Sequence, residues 1–492
     1  MDLTVLNLAV PYLSADLKPS SAQLLWIVDI YGFMIAGSLI TMGTLGDRIG
    51  RRRLLLIGAA AFGAASVLAA FSSSAEMLIA TRALLGIAGA TVAPSTLSLI
   101  RNMFLDRHER TVAIGVWVTS FSVGGAVGPL LGGVLLEYFH WGSVFLLSVP
   151  VMLLLLLVGP VLLPEFKDPS AGRLDLFSAA LSLAAVLLVI YGLKQFAQDG
   201  LGWSPVFSVV SGVAVGAAFV RRQRSLADPL IDLGLFRNPA FSTSLATYTL
   251  GTLVAFGSYI FMAQYLQLVL GLPPLKAGLA TVPSMIAFIV GSLVVPGLAR
   301  RVRPAYLMAA GMVIAAAGFA LLTRISATGG LWVLIAGSVI YSLGTAPVVI
   351  LATDLIVGSA PAERAGAASA ISETGAELGG ALGIALFGSI GTAVYRSAMG
   401  KVGEVAVPAT EMEAARSTLG GAITVAQQLP GQAGAELLST AREAFAHAFE
   451  ITAALCAVVA LGTAIGAAVM LRGVVGGSQL QKSEPQITRP QS

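Results

Sequence analysis

Long apolar runs separated by short polar breaks recur along the whole 492-residue chain. A helix needs roughly 20 mostly apolar residues to cross about 30 Å of hydrocarbon, and about fourteen windows approach that description. The windows are 1–13, 23–43, 54–71, 77–99, 112–135, 144–163, 175–194, 204–220, 241–270, 276–299, 305–325, 331–357, 366–391 and 449–471. The pattern predicts an all-α membrane protein with fourteen transmembrane helices.

The first window is about half as long as a span. Its apolar run begins with Asp2, directly after Met1, and ends at Pro11. We expect that a segment preceding Met1 completes this span. A signal peptide is not expected here, because the window lacks a basic leader and a small-residue cleavage site.

Composition excludes a soluble globular protein. Hydrophobic residues make up 56% of the chain and charged residues 11%, against about 25% charged in soluble domains, and the mean hydropathy is +0.87. The 29 basic and 25 acidic residues give a net charge of +4. The basic residues flank apolar windows instead of forming a stripe, so no nucleic-acid partner is expected. Cys456 is the single cysteine, which excludes disulfides, thiolate clusters and CxxC chemistry.

Lysine and arginine also predict the orientation. Most of them fall in alternate loops, such as 48–53, 101–110, 221–237 and 300–303. Loops rich in these residues stay in the cytoplasm. Both termini are therefore expected to be cytoplasmic, which requires an even number of spans and agrees with fourteen.

The windows divide the chain into four predicted regions. These are an N-terminal six-helix bundle (1–165), two inserted helices (166–237), a C-terminal six-helix bundle (238–472) and a disordered cytoplasmic tail (473–492). The one long outer loop, 392–448, has two passages compatible with short amphipathic helices. We favour a solvated hairpin over a substrate-capture role for it.

The loop after the second window has a distinctive pattern. Asp47, Arg48 and Arg51 stand around two glycines, Gly43 and Gly50, which allow a tight turn and close helix approach. A basic cytoplasmic loop would explain the arginines but not the aspartate between spaced glycines. The stretch 43–54 resembles motif A of the major facilitator superfamily, and the resemblance implies a conformational switch.

A second stretch, 78–90, resembles motif B of the same superfamily and places Arg82 inside the fourth window. A cation in hydrocarbon persists only with a carboxylate, carbonyl or water partner, so Arg82 should face the bundle interior. The resemblance implies a proton relay. The alternative is a side chain that snorkels to the outer interface.

The fifth window has glycines spaced by four and a proline. Gly124, Gly128 and Gly132 form a smooth helix face, and Pro129 frees a backbone carbonyl. The stretch 124–133 resembles motif C, which is associated with antiporters in this superfamily. A glycine-rich packing helix is the alternative, and physics alone does not separate the two.

Three further segments, 2–11, 25–31 and 365–379, together with fourteen windows, resemble the drug:proton antiporter-2 family. The resemblance implies two six-helix repeats with the seventh and eighth spans inserted between them. It also implies a monomer in the bacterial cytoplasmic membrane. The counterpart of motif A in the second half, 297–303, lacks the aspartate.

The acids inside apolar windows are the candidate chemistry. They are Asp2, Asp29, Glu373 and Glu377, with Asp354 near an inner end. A carboxylate in a low dielectric binds and releases protons near neutral pH, and its anion attracts a cation. We therefore predict that these residues bind both protons and substrate.

Some of these residues allow two interpretations. Glu373 and Glu377 are four apart, so they lie on one helix face and their charges are coupled, unless one of them only serves packing or faces a vestibule. Asp29 with Trp26 and Tyr31 would form a cation site with aromatic walls, although an interfacial belt also explains Trp26.

Asp354 has an alternative too: a plain ion pair with Arg364 at the inner surface. Enzymatic chemistry is not expected, because His108, His140 and His447 do not cluster and no phosphate-binding loop is present. We expect no cofactor and no metal, and an ion gradient as the energy source.

The predicted function is proton-coupled export of lipophilic, mostly cationic drugs, antiseptics and dyes across the lipid bilayer. The alternative is proton-coupled export of a dedicated metabolite, such as a lipid or siderophore.

Overall fold

The computed structural model describes residues 2–167, 174–199, 202–226, 228–400, 409–429 and 431–472. Within these ranges the chain forms seventeen α-helices joined by short connections. They are α1 Asp2–Leu17, α2 Ser21–Ile49, α3 Arg51–Ala70, α4 Ala75–Gly89, α5 Val92–Met103, α6 Arg107–Tyr138, α7 Ser148–Leu162, α8 Leu176–Asp199, α9 Trp203–Gln223, α10 Pro239–Gln264, α11 Pro274–Ala299, α12 Pro304–Leu322, α13 Leu331–Ser359, α14 Ala365–Met399, α15 Ala409–Ser417, α16 Leu419–Gln428 and α17 Gly431–Met470. The all-α prediction is confirmed.

Twelve helical segments of the described ranges are long and apolar enough to cross a membrane. They do not include α1, which has 16 residues, or α6, which has 32. Adding these two would give the fourteen helices expected from the sequence. That exact number stays a prediction.

Polar residues at the breaks between apolar windows start several helices. Ser20, Ser74, Asp106 and Asn238 each accept a hydrogen bond at the N-terminus of the helix that follows. Such capping satisfies backbone N–H groups that have no partner within the helix.

One predicted window is broken. The window 77–99 becomes α4 and α5, because Ala90 and Thr91 form a turn in which the Thr91 hydroxyl donates to the carbonyl of Ala88 at 2.7 Å.

The buried apolar side chains fall into two large clusters. One is built by helices of an N-terminal group, α1–α7, and includes Leu13, Ile27 and Phe145. The other lies mainly in a C-terminal group, α10–α17, and includes Phe319 and Phe449.

Helices α8 and α9 form a hairpin beside both groups. At its base Arg222 Nε donates to Asp175 Oδ2 at 2.8 Å, and Ser178 donates to the same carboxylate. These hydrogen bonds hold the pKa of Asp175 well below its usual range. Further along, α8 packs against α2 and α14. The hairpin thus contacts one helix of each group.

The predicted outer loop 392–448 is largely helical where the structure describes it. Helix α14 continues to Met399, and α17 already begins at Gly431. The extension of α17 has a physical reason, because Leu437, Ala441 and Phe445 continue its buried face. The predicted tail, 473–492, lies outside the described residues.

Close backbone approach in the C-terminal group depends on glycine. A Cβ atom on Gly344 of α13 would lie 2.4 Å from the carbonyl oxygen of Gly311 and 2.4 Å from the nitrogen of Ala315 in α12. We predict that Gly344→Val lowers the free energy of unfolding by about 1–3 kcal/mol or more, since backbone cannot move aside for the added atoms. The melting temperature and folded yield in detergent measure this. Gly462→Val is the matched control, because a Cβ there meets nothing within 4 Å, and an equal loss in both variants would contradict the prediction.

Candidate functional site: a cavity between the two helix groups

A cavity of about 270 Å³ lies between α6 of the N-terminal group and α10, α11, α13 and α14 of the C-terminal group. Its wall is mostly aromatic and aliphatic, with hydroxyls at a few positions and one carboxylate. The aromatic residues are Trp117, Phe121, Tyr248, Phe256 and Phe288, and the carboxylate is Glu373. Apolar walls with few polar groups are typical of sites for small lipophilic molecules.

Glu373 supplies the carboxylate of this wall. Its Oε1 atom is buried and has no hydrogen-bond partner among the described residues. A buried charge without a partner is strongly unfavourable, so this oxygen requires a proton or a cation. The cavity supplies the space for either one.

Glu377 follows one turn later on the same side of α14. Its side chain is exposed in the structure. Its charge interacts with that of Glu373 and with that of Lys194 on α8. The structure thus places Glu373 in the cavity wall and Glu377 outside that wall, one turn further along α14.

Asp29 of α2 does not have a free carboxylate. Lys194 of α8 donates a hydrogen bond to Asp29 Oδ1 and forms an ion pair with it. The ammonium also lies 4.6 Å from the ring centre of Phe33. Lys194 could not be singled out from the sequence, because a lysine at the end of an apolar window is usually an interfacial anchor.

The two aromatic residues predicted beside Asp29 separate in the structure. Trp26 lies near Asp29 and stacks on Tyr191 of α8, with ring centres 6.2 Å apart. Tyr31 instead packs in the core of the N-terminal group, 5.3 Å from the guanidinium of Arg82. The expectation that Tyr31 forms a wall beside Asp29 is corrected, because a residue two positions away points to the opposite side of a helix.

Arg82 is fully buried within the N-terminal group. Its guanidinium donates to the carbonyl of Val28 at 3.3 Å and lies 6.0 Å from the ring centre of Phe145. The side chain therefore does not snorkel to the interface, and it faces the interior as expected. Its predicted part in proton relay stays a prediction.

The side chain of Asp2 lies outside the described residues. Its predicted role therefore also stays a prediction. In the part of the chain that the structure describes, no three histidine, cysteine, aspartate or glutamate side chains are placed to hold a metal ion.

Motif A joins the two groups of helices. Asp47 at the end of α2 accepts from the backbone N–H groups of Gly366 and Ala367, at 2.9 and 3.0 Å, where α14 begins. Arg51 donates to the same carboxylate at 2.9 Å and to the carbonyl of Ala362 at 2.7 Å. A carboxylate at a helix N-terminus is favourable, since exposed N–H groups and the helix dipole attract it. Asp47 thus attaches α14 to α2.

The other residues of this motif support the junction. A Cβ on Gly43 would lie 2.4 Å from the carbonyl oxygen of Gly366, so the two helices approach as closely as glycine allows. Gly50 has φ +113°, a conformation that favours glycine. Arg48 pairs at 3.0 Å with Asp228, which follows the α8–α9 hairpin.

Asp354 makes a second junction between the groups. This residue of α13 is buried and accepts from Arg110 Nε at 2.6 Å and from the Thr111 hydroxyl at 3.1 Å, both on α6. Arg107 lies 3.6 Å away. The alternative pairing with Arg364 is corrected, because Arg364 is instead near Asp228. Nothing in this geometry brings Asp354 to the cavity.

Both junctions lie at the same end of the helices. Asp47 is near the end of α2 and Asp354 near the end of α13, while α6 and α14 begin there. This end carries the arginine-rich loops. The groups are therefore closed against each other at one end, with the cavity further along the helices.

The glycines of motif C lie within α6. A Cβ on Gly132 would meet Val5 of α1 at 2.4 Å, and Gly128 is buried. Gly124 is half-buried, and the side chain of Pro129 lies outside the described residues. Gly132 thus permits close packing of α1, which agrees with the packing interpretation and leaves the antiporter interpretation as a prediction.

The main aromatic wall of the cavity could not be recognised from the sequence. Trp117 and Phe121 are four residues apart in α6, with ring centres 4.7 Å apart. Spacing of this kind places two rings on one face. It does not separate a cavity-facing pair from a lipid-facing one.

Comparison with known proteins identifies the family. Residues 1–384 match the Major Facilitator Superfamily. The multidrug efflux pump LfrA of Mycolicibacterium smegmatis is 44% identical over 96% of this chain and 93% of its own length. The methyl viologen resistance protein SmvA of Salmonella typhimurium is 35% identical, covering 95% of this chain and 94% of its own.

A solved structure supports the fold. The human organic anion transporter MFSD10 superposes with a TM-score of 0.57 and 17% identity, covering 92% of this chain and 88% of its own. At this identity the likeness concerns the fold alone. The family match over most of the sequence and the two long alignments agree with it, and the chain belongs to the Major Facilitator Superfamily.

Proposed function

We propose that this protein exports lipophilic organic cations in exchange for protons. The observation that carries the proposal is the aromatic cavity with a buried Glu373 oxygen that has no partner among the described residues. Two relatives support the direction and the type of cargo. One is named a multidrug efflux pump and the other a methyl viologen resistance protein, and methyl viologen is an organic dication.

One carboxylate serves two ligands in this proposal. The Glu373 anion attracts a cation that enters between the aromatic rings, and aromatic faces stabilise positive charge further. Protonation of Glu373 removes that attraction and releases the cation. A proton that returns to the cytoplasm supplies about 2.3 kcal/mol per 100 mV of membrane potential. Glu377, one turn away on α14, is a second carboxylate whose charge interacts with that of Glu373.

The junctions of Asp47 and Asp354 support a state of the transport cycle in which the protein is closed toward the cytoplasm. They close the end with the arginine-rich loops, which the positive-inside rule assigns to the cytoplasm. Release of a cation on the opposite side fits this state, while capture from the cytoplasm requires both junctions to open. We also propose that the protein lies in the bacterial cytoplasmic membrane with both termini in the cytoplasm. In this proposal it is a monomer whose two six-helix bundles move relative to each other.

We predict that Glu373→Gln abolishes proton-driven export. The amide keeps the size of the side chain but neither holds a cation nor releases a proton. Ethidium efflux from vesicles with an imposed pH gradient should fall about tenfold or more, since loss of a charge-assisted contact costs about 1.5–3 kcal/mol.

Glu137→Gln is the matched control, because Glu137 is exposed near the C-terminus of α6 and does not line the cavity. It should retain wild-type efflux. Gradient-driven efflux that persists in Glu373→Gln would contradict the proposed role of this carboxylate, and the absence of cation efflux by the wild type would contradict the function.

We further predict that Asp47→Asn loosens the junction between α2 and α14. The variant removes the charge that binds the N–H groups of Gly366 and Ala367 and leaves buried Arg51 without its carboxylate partner. Hydrogen exchange of the segment 362–370, read by mass spectrometry, should become about tenfold faster, because such charged hydrogen bonds contribute about 1.5–3 kcal/mol.

The control for that measurement is Glu165→Gln. Glu165 accepts from the backbone N–H groups of Arg52 and Arg53 at 3.1 Å, so it caps α3 next to the same turn. It does not reach α14. Equal acceleration of 362–370 in both variants would show that damage to the turn, and not loss of the junction, causes the effect.

A further inference from the structure

The ammonium of Lys194 lies against one ring of a cluster of three aromatic residues. Trp26 and Phe33 of α2 and Tyr191 of α8 lie with ring centres 6.0 to 6.4 Å apart in each pair. The Lys194 ammonium lies over the Phe33 ring and pairs with Asp29. A carboxylate with several aromatic faces is the usual recognition site for organic cations. Here a side chain of the protein itself occupies it.

Lys194 reaches this place from the inserted hairpin. Helix α8 packs closely on α2, where a Cβ on Gly37 would lie 2.5 Å from Leu183. The cluster of apolar side chains shared by these two helices also includes Leu378 and Ala381 of α14, and α8 contacts α14 as well as α2. The Lys194 side chain thus pairs with Asp29 of α2, and its positive charge also acts on Glu377 of α14.

We propose that Lys194 is a tethered cation that occupies the Asp29 site in the absence of cargo, and that a permanently charged organic cation displaces it. This inference rests on the proposed export of cations. It gives the inserted α8 a part in binding, because the competitor for the site belongs to that helix.

The chemistry of the two cations favours exchange. Without Lys194 or cargo, Asp29 would be an unpaired carboxylate in a largely apolar setting, which is costly. A quaternary cation cannot donate a hydrogen bond to Asp29, but it covers more aromatic surface than an ammonium does. The released ammonium has a second carboxylate at hand in Glu377. Neither charge is therefore left without a partner during the exchange.

Binding of tetraphenylphosphonium to the purified full-length protein in nanodiscs tests the proposal. Removing an internal competitor raises apparent affinity by the inverse of the fraction of time that the site is free. Lys194→Gln should therefore lower the Kd by about tenfold, within the range of about 5- to 150-fold that is typical of coupling between sites. Lys194→Arg, which keeps the charge, should stay near the wild-type Kd.

A double-mutant cycle separates displacement from simple repulsion. In an Asp29→Asn background the ammonium no longer competes for Asp29, so the gain from Lys194→Gln should largely disappear. A fixed charge that repels the cation from a distance would give an equal or larger gain in that background. That result, or an unchanged or higher Kd in Lys194→Gln alone, overturns the proposal.

Two further measurements serve as controls, one for folding and one for transport. Lys194→Met repeats the comparison if Lys194→Gln does not fold, and failure of both neutral variants to fold would assign Lys194 a structural role and overturn the proposal. Proton-driven efflux by the wild type is measured in parallel. Absence of that efflux defeats the proposed function, whereas efflux that depends on Glu373 with no effect of Lys194 on cation affinity defeats only this inference.

Discussion

The cost of a charge in a low-dielectric environment is the constraint on which the arrangement of this protein depends. An ion that leaves water loses several kcal/mol even after the protein relaxes, so a buried charge persists only with a partner. Asp47 has Arg51 and a helix N-terminus, and Asp354 has Arg110. Glu373 differs, because one of its oxygens has no partner among the described residues. This contrast separates the acids that hold the helices together from Glu373, the acid that we propose binds a proton or a cation.

The same constraint explains what the sequence could predict. Few charges and many apolar runs exclude a water-soluble fold, and charged residues inside those runs stand out because they are costly. The all-α membrane fold followed from this and is confirmed. The superfamily was predicted from the resemblance of motifs A, B and C, and it is confirmed too. Motif A was also informative, because two glycines allow helices to approach closely and an aspartate between them can bind arginines or a helix N-terminus. The structure shows both features at Asp47, where Gly43 brings α2 close to the start of α14.

Partners that are distant in the sequence could not be predicted. Asp354 meets Arg110, which lies 244 positions earlier, and Asp29 meets Lys194, 165 positions later. Only packing of different helices brings these charges together. Tyr31 was placed beside Asp29 because of proximity along the chain, although helical geometry directs it to Arg82. For the same reason the cavity rings on α6 and α10 could not be told apart from lipid-facing rings.

The energetics of the two junctions limit how the transport cycle can work. Breaking a buried ion pair by leaving one charge unpaired costs about 3–5 kcal/mol, whereas one proton supplies about 2.3 kcal/mol per 100 mV. One proton therefore cannot simply break both junctions. Their charges must find new partners as they separate, and their position at the ends of α2 and α13 allows water to provide them. A buried acid such as Glu373 lacks that route, so in the proposed export cycle it exchanges one positive ligand for another and does not remain unpaired.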